Sequence, residues 1–248
     1  RDRHDGGAVD DAARVAGVDL AVRLERGLQR AQALEGGLRT GVLVGRDGLL
    51  RAVGLRGVEA VTIEASSASG GAAMRQAYLA VASGAMDFAI VVGVEKLSDV
   101  LGSAAVSAQM TATDSDYEAS HGVTPLSAAA MLMRRYMYEY DAVPIDFAAF
   151  SVNAHANSAT NPNAMYHNKI TPESFVKASM IAEPINLFDA APAADGAAAI
   201  VLASTEWAKS HQSDGLIRVA ASSVATDALA IHDRHDPLWL RPAELSVP

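Results

Sequence analysis

The 248-residue chain contains no cysteine. That absence excludes disulfides, thiolate metal sites and cysteine nucleophiles together. Aromatic residues make up only 5% of the chain, while hydrophobic residues reach 50%. A core built mainly from Ala, Val and Leu packs sheets and helices closely, which favours α/β layering. No stretch strings more than two Lys or Arg together and the formal net charge is -9, so no general attraction to nucleic acid or to an anionic membrane is expected. An anionic substrate needs a local basic spot instead. No run approaches the ~18 apolar residues of a membrane span, and the charged start lacks the basic-then-apolar order of a secretory signal. A cytoplasmic protein is expected.

Composition divides the chain. Residues 1–50 hold 8 of the 16 arginines and 9 of the 19 glycines, yet no Ile, Lys, Asn, Phe, Tyr, Met, Ser or Pro. Two readings stand for this atypical segment: a divergent Ala/Leu/Arg helix over about 12–33, or translation out of frame from a G/C-rich gene. From Gly57 the pattern becomes orderly. Val58 to Ile63 reads as a strand, Ser69 to Ser83 as a helix and Phe88 to Val92 as a strand buried on both faces, together a parallel crossover unit. Residues 98–124 read as loop, Pro125 to Glu139 as a helix, Val143-Pro144 as a turn, and Asp146 to about Asn157 as another helix. Residues 157–175 read as loop, and Ala197 to Leu202 and "LIRVAASSV" (216–224) as strands. The expected domains are 51–120 (core), 121–190 (helical loop domain) and 191–248 (return to the core).

The stretch "EASSASGGAAMRQAYLAVASG" (64–84) places a small-residue corner between a strand and a helix. Unpaired N–H groups at such a helix start favour negative charge, and can hold the oxyanion formed when an acyl carbon is attacked. Gly70 and Gly71 allow close approach of a backbone or ligand. Alternating G-x-G-x-x-G, G-K-[ST] and G-x-S-x-G patterns are absent from the corner, so a dinucleotide loop, a phosphate loop and a hydrolase elbow are unsupported. A purely structural turn remains the plain alternative.

Four segments carry a family resemblance: "VEAVTIEASSASGGAAMRQAYLAVASGAMDFAIVVGVEKLSD" (58–99), "HGVTPLSAAAMLMRRYMYEYD" (121–141), "HANSATNPNA" (155–164) and "DAAPAADGAAAIVLAS" (189–204). In this order, over about Gly57 to Asp236, the chain resembles the thiolase superfamily, in particular its archaeal and sterol-carrier-protein-type branch. The resemblance implies an α/β layered fold of αβαβα type, of which this chain is the N-terminal half with an inserted helical loop domain that receives coenzyme A. It implies acyl-CoA acyltransferase chemistry, condensing or cleaving thioesters through an acyl-cysteine, with no bound cofactor beyond the coenzyme A thioester substrate. Homodimers or tetramers are implied, as is a zinc-ribbon and OB-fold bridging partner.

Laid onto this sequence, the nucleophile position is Ser67, and the second cysteine-bearing motif reads Asp189-Ala190-Ala191-Pro192. The histidine-bearing motifs that supply the family's bases belong to a second half, beyond Pro248. Serine is a poor nucleophile without an adjacent base. Two functions therefore stand: an acyltransferase impaired by Ser67, or a non-catalytic scaffold or lipid- and acyl-CoA-binding subunit. A core cut short is expected to leave a sheet edge and an apolar face uncovered, giving association.

Among other candidates, His155 falls where the family places its pantetheine channel, with capping or packing as the alternative. Arg134 and Arg135, with Lys169 and Lys177, form either a basic spot for CoA phosphates or solvated surface charge. Met131, Met133, Tyr136, Met137, Tyr138 and Tyr140 line either an acyl tunnel or, at helical spacing, the core. His121, Gly122 and the Glu95-Lys96 pair read as structural. His232, Asp233, His235 and Asp236 are adjacent rather than helically spaced, so no metal site is assigned.

Overall fold

The computed structural model describes residues 40–44, 58–95, 97, 101–211 and 216–246. In chain order its elements are β1 (Thr40–Val44), β2 (Glu59–Val61), α1 (Ser69–Ala82), β3 (Phe88–Glu95), α2 (Gly102–Gln109), α3 (Pro125–Tyr140), α4 (Pro144–Ser158), α5 (Pro172–Val176), β4 (Met180–Ala182), β5 (Ile185–Asn186), β6 (Gly196–Ala203), α6 (Thr205–His211) and α7 (Arg241–Ser246). Two compact units result. The first takes its residues from Arg1–Lys96, Asp195–Ala225 and Leu245–Pro248, the second from Leu97–Ala194 and Thr226–Glu244.

The first unit is built on a four-stranded sheet of order β2-β1-β3-β6. β1 runs parallel to both β2 and β3, pairing Gly41 with Glu59 and Thr40 with Phe88. β6 closes antiparallel on β3 from Phe88 opposite Ala203 to Glu95 opposite Gly196. The β-branched and apolar run of β3 explains its central place, because Phe88 to Val92 are all buried. α1 lays Ala73 and Ala77 against Ala89, Val91, Met86 and Leu202. Two alanines four apart form one small-residue stripe, letting the helix axis approach the sheet closely. Phe88 meets Trp207 of α6 with ring centroids 5.6 Å apart.

The expected α/β layering and the strand-helix-strand unit are both present, with β1 lying between β2 and β3. Among the described residues the sheet ends on β2 and β6, and β6 exposes Ile200 and Val201. β2 is shorter than the expected Val58 to Ile63 and its three residues are exposed, as suits an edge. The last expected strand is not formed within 216–224. Its polar groups bond elsewhere: the Arg75 guanidinium donates to the Ser222 carbonyl, and the Ser223 hydroxyl donates to the Ser246 carbonyl at 2.5 Å. The helix expected over 12–33 lies outside the described residues.

The second unit is helical, with a short β4-β5 hairpin. The expected loop over 98–124 instead contains α2 and two 3-10 turns, Met110–Ala112 and Ala119–His121. Ala and Gln sustain α2 despite its small, polar look, and none of its residues is buried. Glu118, buried nearby, accepts from the N–H groups of Asp114 at 3.0 Å and Ile231 at 2.8 Å. A carboxylate so bonded pins the returning segment 226–244 to the 3-10 turn.

α3 starts at a reciprocal box in which Thr124 and Ser127 cap each other, with Pro125 at the first turn. α4 begins at Pro144, two residues before the expected start. The loop expected over 157–175 ends in α5, where Thr171, Pro172 and Ser174 repeat the same capping arrangement.

Glu173 sits in the first turn of α5. Its carboxyl is held below the ordinary 4.5, first by a backbone N–H hydrogen bond, then by the Thr171 hydroxyl and by Lys177. The folded value is depressed, so this stabilisation is full above 4.5 and is lost as pH falls through the folded value. An NMR titration is expected to place the Glu173 midpoint below 4.5, and Thr171→Ala to move it upward. An unchanged midpoint in the variant would sink the hydroxyl's role.

Candidate functional site

In the first unit the chain leaves β2 and turns sharply at Ser66, whose φ of 51° lies in the left-handed region. A non-glycine residue held there costs about 1–3 kcal/mol, and persists only when its surroundings over-determine it. The surroundings are visible. The Ser66 N–H donates to Glu64 Oε1 at 2.6 Å, and the Ala65 N–H donates to Ser69 Oγ at 2.8 Å. The Ser69 hydroxyl in turn points between the Ser66 carbonyl at 2.7 Å and Glu64 Oε1 at 3.1 Å. One carboxylate and one hydroxyl thus close the corner on itself.

From that corner a 3-10 turn, Ser66–Ala68, runs directly into α1. Ser67 sits in this turn, exposed, and among the described residues its hydroxyl has no hydrogen-bond partner. The N-terminus of α1 carries no acidic residue in its first turn and no side-chain cap. The Ser69 N–H already donates to the Ser66 carbonyl, and no side chain caps the N–H groups that follow it, where an anion or oxyanion is favoured. A Cβ added at Gly70 or Gly71 would meet nothing within 4 Å. Among the described residues packing does not demand these glycines, and the approach to the first turn stands open.

The second unit holds the other candidates. His155, on α4, is half-buried and has its Nδ1 2.8 Å from the Asn168 carbonyl. A carbonyl only accepts, so Nδ1 carries the hydrogen and, in the neutral ring, Nε2 is the acceptor nitrogen. The ring stacks on Tyr166 at 6.4 Å and meets Phe188 edge-on at 5.5 Å. The Ser151 hydroxyl donates to the Phe188 carbonyl at 2.7 Å, fixing that edge to α4.

Arg134 and Arg135 both have carboxylate partners. Arg134 lies 3.7 Å from Glu183 and donates to its carbonyl at 3.2 Å, while Arg135 pairs with Glu139 at 2.6 Å one turn on. Such exposed pairs contribute little stability, about 0–1 kcal/mol, but they offset the positive charge an anionic ligand would meet. The Met and Tyr cluster is mostly exposed, with only Met133 and Met137 half-buried. Met131, Tyr136, Tyr138 and Tyr140 are exposed, Ala130 is the buried residue of α3, and Tyr136 contacts Tyr140 and Phe147 at 4.6 and 6.0 Å. His232 packs on Tyr117 at 4.8 Å. Among the described residues no group of three or more His, Asp or Glu is placed to hold a metal, and no helix is long and apolar enough to cross a membrane.

Ser67, Gly70 and Gly71 therefore share one corner of the first unit, whereas His155, Arg134 and Arg135 belong to the second. The partners that shape the corner, Glu64 and Ser69, were not singled out from sequence. Their only signal is that both are hydrogen-bonding residues flanking a serine pair.

Residues 40–206 match the model of the thiolase N-terminal domain. The match takes in β1 through the start of α6, including the corner and the whole helical excursion. The chain belongs to the thiolase family. It is 41% identical over 183 residues to an acetyl-CoA acetyltransferase of Methanothermobacter thermautotrophicus, covering 74% of this chain and 47% of that protein. A second acetyl-CoA acetyltransferase, of Methanocaldococcus jannaschii, is 38% identical over 216 residues, covering 85% of this chain and 55% of its own length. Among solved structures, the Ltp2-ChsH2(DUF35) aldolase superposes with a TM-score of 0.67 at 25% identity, over 83% of this chain and 56% of that one. This thiolase chain spans about half the length of the curated relatives it matches.

Proposed function

We propose that this thiolase-family chain binds acyl-CoA thioesters at the corner formed by Ser67, Gly70 and Gly71, as part of an acyl-CoA acyltransferase whose transfer step is impaired by serine at position 67. The corner carries the proposal. A helix start with uncapped N–H groups, an open approach over two glycines and a side chain at its mouth are the parts an acyl transfer needs. Attack by a nucleophile at 67 on the thioester carbon would form a tetrahedral oxyanion, which the N–H groups stabilise as the CoA thiolate leaves. Serine must first lose a proton, and no base bonds its hydroxyl among the described residues. The second unit by itself offers His155 for a pantetheine contact, and the paired Arg134 and Arg135 are weaker candidates for the CoA phosphates.

Equilibrium dialysis with coenzyme A and acetyl-CoA tests the binding. Saturable uptake of both is expected, while no uptake would leave only the scaffold reading. A homodimer or tetramer, cytoplasmic and in lipid metabolism, fits this function, and the two-protein makeup of the Ltp2-ChsH2 aldolase supports a bridging partner.

A retro-aldol reading has its own support. The chain lacks any thiol, and an aldolase is among its structural relatives. Cleaving a 3-hydroxyacyl-CoA moves the hydroxyl proton to a base, breaks the C2–C3 bond and leaves a carbonyl product plus a thioester enolate that is then protonated. No acyl-enzyme is needed, so serine at 67 is no handicap to that chemistry.

A further inference from the structure

Position 67 owes its place to its neighbours more than to its own contacts. The preceding residue, Ser66, is held at φ 51°, and every hydrogen bond that holds it there ends on Glu64 or Ser69. Glu64 Oε1 receives two donors, the Ser66 N–H and the Ser69 hydroxyl. Ser69 is the first residue of α1 and its N–H also bonds the Ser66 carbonyl, so the same residue that closes the corner belongs to the helix that starts beside residue 67. A carboxylate placed here to bind substrate would work against an anionic CoA thioester. A carboxylate consumed by two internal donors does not present its charge in the same way, and its geometry is that of a brace.

We propose that Glu64 and Ser69 are positioning residues: the carboxylate and hydroxyl lock Ser66 in the left-handed conformation and so set residue 67 at the leading N–H groups of α1. The inference rests on 67 being the reacting position. A brace and a mere charge predict opposite signs. Removing a nearby negative charge makes a thiol at 67 easier to ionise, whereas losing the geometry takes that thiol away from the helix start and makes it harder.

The absence of cysteine from this chain makes the test clean, because Ser67→Cys gives it a single thiol. Its alkylation by iodoacetamide is followed against pH by intact mass, in Ser67→Cys alone and combined with Glu64→Gln, Glu64→Ala or Ser69→Ala. The parent thiol is expected to titrate below the ordinary value of about 8.5. Glu64→Ala and Ser69→Ala are expected to raise the midpoint by about one pH unit and slow alkylation at pH 7 about tenfold. Glu64→Gln keeps an oxygen that accepts from the same two donors, so it is expected to stay near the parent.

An ordinary midpoint in the parent, or alanine variants matching it, overturns the proposal. So does a lower midpoint in both Glu64 variants, which would mark the carboxylate as a charge alone. Should Glu64→Ala lose its helical circular dichroism, Ser69→Ala decides by the same criteria. The readout needs no coenzyme A, so a failed dialysis sinks the acyl-CoA reading while leaving this result to stand or fall by itself.

Discussion

After incubation with acetyl-CoA, the wild-type chain is expected to keep its mass and the Ser67→Cys variant to gain one acetyl group. A free thiol is already a few per cent thiolate at neutral pH, and a helix N-terminus raises that share. The corner supplies such a terminus: no acidic residue lies within the first turn of α1, and the Glu64 carboxylate beside it is taken up by the Ser66 N–H and the Ser69 hydroxyl. A hydroxyl has no comparable ionised fraction, and must hand its proton to a base in the same step. Among the described residues the Ser67 hydroxyl has no partner to receive one. The expected contrast is thus between no detectable label and stoichiometric label at a single residue. Label on wild-type Ser67 would make serine a working nucleophile and withdraw the impairment. No label in either chain would remove acyl transfer at this corner. Cleavage of a 3-hydroxyacyl-CoA by the unlabelled wild type would then favour the retro-aldol chemistry.

What was legible in the sequence depended on how local the governing physics is. β3 showed itself because "FAIVV" can satisfy so continuous an apolar run only between covered faces, and Phe88 to Val92 are indeed buried. α3 announced its start through Pro125, whereas Pro144, read as part of a turn, is the first residue of α4. β1 escaped notice because Thr40–Val44 lies in the compositionally atypical first fifty residues, and its place in the sheet depends on partners 18 and 48 positions away, at Glu59 and Phe88. α2 escaped because "GSAAVSAQ" has neither an apolar stripe nor a capping side chain, though alanine alone favours helix.

The same distinction runs through the candidate site. The strand-to-helix corner follows from its small residues, but the pairing of Glu64 with Ser69 follows no helical or strand period. Five residues apart, they meet only because Ser66 turns left-handed between them. Arg135 with Glu139 is a spacing any helix would bring together, whereas Arg134 with Glu183 requires the β4-β5 hairpin to sit beside α3. The basic spot read from Arg134 and Arg135 with Lys169 and Lys177 therefore left out the Glu183 carboxylate, which only folding brings to Arg134.

Asn186→Leu is expected to destabilise the second unit by about 2–5 kcal/mol, because it leaves one buried and one partly buried backbone group without partners. Asn186 is 1% exposed. Its Nδ2 donates to the Phe175 carbonyl at 3.1 Å, and its Oδ1 accepts from the Phe188 N–H at 2.7 Å. Leucine matches the volume and removes both bonds, so the loss reports the unmet groups rather than a cavity. The neighbourhood gives no slack, since Phe175 is fully buried and the Asn186 N–H is itself tied to Asp189 Oδ2 at 2.8 Å. Urea unfolding gives the magnitude, and hydrogen exchange at the Phe188 amide gives the location. Phe188 is also the ring that meets His155 edge-on, so the variant is expected to free that histidine's ring as it frees the amide. A loss under about 0.5 kcal/mol, within the range of ordinary surface changes, would mean that the segment re-forms its bonds without Asn186. Slow exchange at Phe188 in that case would show the floor under His155 to be held by the Ser151 bond instead.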